Sequence, residues 1–227
     1  MNRSFQAFLF VTYLLSLSSP VSAADYGQFG PFDYYDLKNT PHNALPLVER
    51  AHFGAVTKNR LRRGEICSYW GDLDYTLRAF PNHPGALMAM VEYLEAGGST
   101  SPCAKKAVKR NVTDLAVELE KGAWQEKTAD YYFETAIEFR PQHAATRVLY
   151  GRYQHKEGRL NEALKTYTEA EKLDPKSADL HYYLGLLYFD MKNNVKAMYH
   201  AEIAYRLGQQ LPELRDKLTK ANAWKNK

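Results

Sequence analysis

Residues 144–177, AATRVLYGRYQHKEGRLNEALKTYTEAEKLDPKS, lie over residues 178–211, ADLHYYLGLLYFDMKNNVKAMYHAEIAYRLGQQL, without a gap at a period of 34 residues. Gly151 falls on Gly185, Ala163 on Ala197, Ala170 on Ala204 and Leu173 on Leu207. Small side chains at fixed offsets with this period are the mark of stacked helical hairpins, because only a small residue lets two rods approach closely. A larger side chain at Gly151 or Ala163 would overpack a helix–helix contact at a cost of roughly 1–3 kcal/mol.

Working outward, helical periodicity covers Leu47 to Arg63 with a break at Gly54, Gly71 to Phe80, Gly85 to Ala96, Thr113 to Lys121 and Glu126 to Phe139. It continues through Ala144 to Glu157, Leu160 to Leu173, Ala178 to Met191, Asn194 to Leu207 and Pro212 to Trp224. Gly122, Pro141, Gly158, Pro175, Asn193 and Gly208 punctuate these runs as helix breakers. No segment shows a strand period, so the fold class is all-α. Pro212 to Trp224, with Leu214, Leu218 and Trp224 along one side, reads as a cap over the last hairpin.

The N-terminal 23 residues form a leader: Arg3 supplies positive charge, Phe5 to Leu17 an apolar run, and the segment ending at Ala23 a small-x-small cleavage pattern. The run is shorter than the roughly 20 residues a membrane span requires, which favours cleavage over an uncleaved anchor. The expected organisation is signal peptide 1–23, aromatic arm 24–46, degenerate helical repeats 47–98, basic insertion 99–112, repeats 113–211 and capping helix with tail 212–227. The arm carries Tyr26, Phe29, Phe32, Tyr34 and Tyr35, too much apolar area for a free tail, and is expected to lie extended over the first helices. In an oxidising compartment Cys67 and Cys103 make one bridge, stabilising by roughly 4 kcal/mol in the chain-entropy model. The other reading is two unrelated buried thiols.

The chain resembles a tetratricopeptide repeat protein. That family places a bulky residue, then Gly or Ala, at positions seven and eight, Ala at twenty, an aromatic at twenty-four, Ala at twenty-seven and Pro at thirty-two. From Ala144 these are Tyr150, Gly151, Ala163, Tyr167, Ala170 and Pro175. The next repeat keeps Leu184, Gly185, Ala197 and Ala204, but has Ala201 at the aromatic position and Gln209 at the proline position. Upstream, a repeat from Arg110 keeps Ala129, Phe133, Ala136 and Pro141, and an earlier one is aligned on Ala79 and Pro84. The segment 72–84, the arm Gly30-Pro31-Phe32-Asp33-Tyr34 and the run 182–188 are similar to exported repeat proteins of Gram-negative bacteria without an assigned activity.

The resemblance implies an α-α superhelix in which first helices line a concave groove at Arg152 and His155, then Asp179, Tyr182, Leu186 and Phe189. Such a groove suits an extended peptide or amphipathic helix, and the alternative is that Leu186 and Phe189 are buried by the cap. The expected function is a periplasmic or secreted interaction scaffold for a protein or peptide of an envelope assembly. Its rival is an envelope enzyme or small-ligand binder with a pocket between arm and solenoid, using Asp72, Asp74 and His83. On a helix Asp72 and Asp74 point about 200° apart, against shared chemistry.

No phosphate loop, nucleophile elbow or metalloprotease motif occurs, and neither cofactor nor metal is expected. His181 and His200 can approach across a hairpin and read as satisfied histidines. The clusters Arg60, Arg62, Arg63 and Lys105, Lys106, Lys109, Arg110 offer weak contact with anionic envelope components or a solvated face. A net charge of +4 does not demand polyanions, and nucleic acid is not an expected partner.

Overall fold

The computed structural model describes residues 30–98 and 127–224. Among them are ten helices and no strand: α1 (Ala44–His52), α2 (Ala55–Arg62), α3 (Ile66–Ala79), α4 (Pro84–Glu95), α5 (Ala129–Phe139), α6 (Ala144–Lys156), α7 (Leu160–Leu173), α8 (Ala178–Asp190), α9 (Asn194–Arg206) and α10 (Glu213–Lys220). The leader, the 99–112 insertion, the Thr113 to Lys121 helix and Cys103 lie outside the described residues. Glycine stops the helices at the expected points: Gly54, Gly158 and Gly208 have φ of 73°, 74° and 99°. α3 begins five residues earlier than Gly71, because Tyr69 and Trp70 are buried and Tyr69 packs on Tyr93 of α4.

The hairpins α6–α7 and α8–α9 are the best-formed units, and their packing follows the repeat. A Cβ added to Gly151 would stand 2.5 Å from the Tyr167 ring of α7, so the ring occupies the space that glycine leaves. Tyr167, Ala163 and Ala170 are fully buried beside Leu180, Leu184 and Leu187 of the next hairpin. The second repeat solves the same contact differently. Ala201 stands where Tyr167 would fall, and a Cβ on Gly185 would overlap Leu214 of α10. The terminal helix therefore inserts a leucine into the seat left by the missing aromatic, with Leu214 and Leu218 fully buried against Ala197, Ala201 and Ala204. α10 ends at Lys220, short of Trp224, because Asn222 turns left-handed at φ 53° and Trp224 folds back onto Tyr205 with ring centroids 5.7 Å apart.

Upstream the register differs from the sequence reading. α3, α5 and α7 end in one conformation, with C-caps Phe80 (φ −134°, ψ 82°), Arg140 (−136°, 77°) and Asp174 (−140°, 84°) donating to Thr76, Ala136 and Ala170. Pro81, Pro141 and Pro175 follow in turn, and His83, His143 and Ser177 cap the next helix. Pro81 and Thr76, not Pro84 and Ala79, thus hold the family positions. α5 packs on α4, and α4 on α6, as α6 packs on α7 and α8, while the first helix expected for the repeat from Arg110 lies outside the described residues.

Two substitutions check this packing. Gly151→Leu drives a side chain into the Tyr167 ring and lowers stability by roughly 1–3 kcal/mol in denaturant unfolding. Ala201→Tyr refills the seat of Leu214, and hydrogen exchange then shows α10 losing protection while α6–α7 keeps its own.

Candidate functional site

Residues 30–43 lie across the N-terminal ends of two helices from different repeats. Gly30 reaches the turn after α3 so closely that a Cβ would meet the Ala79 carbonyl at 2.8 Å, and the Phe32 N–H donates to that carbonyl at 2.7 Å. Phe32 packs on Phe80 with Ala44 and Val48 of α1. Asp33 is the hub: its carboxylate accepts from Asn82 Nδ2 at 2.7 Å and from Arg140 Nε at 2.6 Å. Burial acts to raise the Asp33 carboxyl, but the hydrogen bonds from Asn82 and Arg140 outweigh it and hold the group below its ordinary value.

The next two residues each pack a tilted ring on the histidine at a helix N-cap position. Tyr34 lies 4.6 Å from the His83 ring and Tyr35 4.1 Å from the His143 ring. His83 Nδ1 accepts from the Ala86 N–H at 3.1 Å, capping α4, which leaves Nε2–H to donate to Glu49 at 3.2 Å. Burial lowers both histidines below the ordinary value despite the pull of Glu49 on one and Asp33 on the other.

The three residues of the rival reading do not converge. Asp72 takes His52 Nδ1 at 2.9 Å and Arg60 Nε at 2.5 Å, facing α1 and α2. Asp74 takes Lys127 at 3.0 Å, Tyr132 Oη at 2.9 Å and Arg78 at 3.2 Å, facing α5. His83 is held by the cap and Glu49. Each group is paired for packing, since a buried charge requires a partner. Arg60 also approaches Glu65 at 3.6 Å and Arg63 meets it at 2.9 Å, so this basic cluster is largely neutralised within the chain. Lys105, Lys106, Lys109 and Arg110 lie outside the described residues.

The expected groove residues are split by α10. Tyr182 and Leu186 are buried at 2% and 7% exposure in a cluster with Leu214 and Leu218, so neither is presented on an open face. Phe189 is partly buried against the same cluster, Asp179 accepts from Gln209 at 2.7 Å, and His155 pairs with Asp190 at 2.9 Å. Arg152 remains exposed over the Tyr183 ring. Farther up the same row of first helices, a cavity of about 250 Å³ opens between α4, the start of α5 and α6, lined by Val91, Leu94, Glu95, Lys127, Tyr153 and Glu157 among others. Sequence reading missed it because its walls come from residues 91–98, 127–129 and 153–157, which are adjacent only once α4 packs on α5 and α6.

The geometry defines a helical-hairpin repeat protein. Residues 151–192 match the family model described as TPR repeat. Similar solved structures include MamA MSR-1 (16% identity, 73% of this chain and 86% of that chain, TM-score 0.38). Others are the thermophilic TPR protein TTC0263 of Thermus thermophilus (19%, 73% and 77%, 0.39) and YrrB, described as a TPR protein with an unusual peptide-binding site (20%, 83% and 96%, 0.35). No curated protein matches the chain. No described helix is long and apolar enough to cross a membrane.

The arm's seat is sensitive to acid. His83 and His143 titrate lower in the folded chain than in the unfolded one, so the unfolded chain binds more protons as pH falls. Stability is full above about 6.5 and declines below it. Protonating His83 also places a proton between Nδ1 and the Ala86 N–H. Thermal melts at pH 7 and pH 5 show a drop in Tm for the native chain, and a smaller one for His83→Asn, whose amide caps α4 without titrating.

Proposed function

We propose that this chain is an exported scaffold of a bacterial envelope that docks a protein or peptide partner along the first helices of its repeats. Folds of this family mediate protein–protein interaction, and export follows from the leader 1–23. The carrying observation is the cavity between α4 and α6. It is a concave recess whose apolar floor, Val91 and Leu94, is rimmed by Glu95, Lys127 and Glu157, the mixture that takes an apolar side chain and fixes the polar backbone around it. Since α10 covers Tyr182 and Leu186, the docking surface lies toward α4 rather than at the C-terminal repeat. In the oxidising compartment this reading assigns, Cys67 and Cys103 are bridged.

Two measurements test the reading. N-terminal sequencing of protein recovered from the envelope fraction gives a chain starting at Ala24, and its mass under non-reducing conditions is two hydrogens below that of the thiol form. A photo-crosslinking residue at Tyr153 captures a discrete partner in cells, whereas one at Tyr182 captures none. Full-length chain retained in the cytoplasm overturns export, and equal capture at both positions overturns the placement of the surface.

A further inference from the structure

The helices α7, α8 and α9 bring together three side chains that no part of the scaffold reading uses. His181, in the first turn of α8, and His200, midway along α9, face each other with their Nδ1 atoms 2.9 Å apart and their rings stacked at 26°. They are only 3% and 6% exposed. Glu171, near the end of α7, places Oε1 3.9 Å from His181 Nδ1, and the three potential ligand atoms all lie within 4.8 Å of one another. The spacings of ten and nineteen residues match no short metal motif, so only the stacking of two repeats assembles the set.

The hydrogen bonds fix the protonation pattern. His181 Nε2 lies 3.0 Å from the Pro175 carbonyl, which has no proton to give, so Nε2–H donates and Nδ1 carries a lone pair. His200 Nδ1–H then donates into that lone pair. Among the described residues Glu171 makes no hydrogen bond, and its carboxylate faces the two imidazoles at the accessible edge of the cluster.

We infer that Glu171, His181 and His200 form a binding site for a divalent first-row transition metal of the zinc type, clamping the last two repeats together. Two imidazoles and one carboxylate, with a fourth position for water, are a set that zinc accepts. The Pro175 carbonyl on His181 Nε2–H is the outer partner that orients a ligating imidazole with the other nitrogen free for metal. Bond lengths of about 2.0–2.2 Å put tetrahedral ligands roughly 3.3 Å apart. The nitrogens thus separate by a few tenths of an ångström while the Glu171 carboxylate swings inward, an easy motion for a side chain 36% exposed. On binding, the His200 proton moves from Nδ1 to Nε2. Because the site draws on three helices of two repeats, metal stabilises their docking.

The test uses the whole mature chain, without an affinity tag and stripped of metal by chelator, titrated calorimetrically with Zn²⁺ alone and melted with and without it. The expected result is one Zn²⁺ per chain at micromolar affinity or tighter and a raised Tm. Glu171→Gln, at the accessible end of the site, leaves the metal-free Tm in place and weakens binding at least about tenfold. His200→Gln abolishes stoichiometric binding, while His155→Gln, at the separate pair with Asp190, leaves it unchanged. Absence of stoichiometric binding overturns the site. So does affinity that survives Glu171→Gln, or that is lost in His155→Gln.

Discussion

The structure depends on an aromatic ring or leucine filling the hole left by a glycine. Tyr167 over Gly151 sets the separation of α6 and α7, and Leu214 over Gly185 holds α10 on α8. Helix pairs that contact through a missing side chain can pack at close range, and close range is what allows one hairpin to nest on the next. The two seats are chemically alike but are filled from different places. One filler belongs to the repeat, and the other arrives from beyond it. Loss of the second aromatic to Ala201 is therefore a fitted change, complementary to the cap.

This difference explains how much can be read in advance. From residue 144 onward the period, the hairpin boundaries and the small-residue contacts are legible, because filler and glycine recur at fixed offsets. Burial of Tyr182 and Leu186 by the cap is not decided by the period, because the group that covers them stands outside it. At α3 the spacing of Ala79 and Pro84 imitates the family's Ala-to-Pro interval three residues late, and only the shared C-cap geometry of Phe80, Arg140 and Asp174 shows that Pro81 is the equivalent residue. The approach of the two histidines across a hairpin is legible from their places in the repeat. The addition of Glu171 is not, since a carboxylate ten residues away carries no signal until three helices stack.

The N-terminal and C-terminal ends use opposite means of closure. At the C-terminus an amphipathic helix buries two leucines and leaves a polar outer face. At the N-terminus an extended segment is fixed by directional contacts: Asp33 to Asn82 and Arg140, Tyr34 to His83, Tyr35 to His143. Polar fixation of this kind contributes less area but specifies one register, and it uses the histidines at the N-cap positions of α4 and α6, of which His83 also caps its helix. Between the ends, the recess of α4 and α6 is the face that neither device covers.

The reach of the arm bears on the order in which the molecule can be completed. Asp33 and Arg140 are separated by 107 positions along the chain, whereas neighbouring helices of a repeat stack contact partners within a few tens of residues. Hairpins can therefore form one after another as the polypeptide emerges, and the arm closes in two stages. Phe32 and Tyr34 find Phe80 and His83 early, whereas Tyr35 and the second partner of Asp33 wait until His143 and Arg140 have been made.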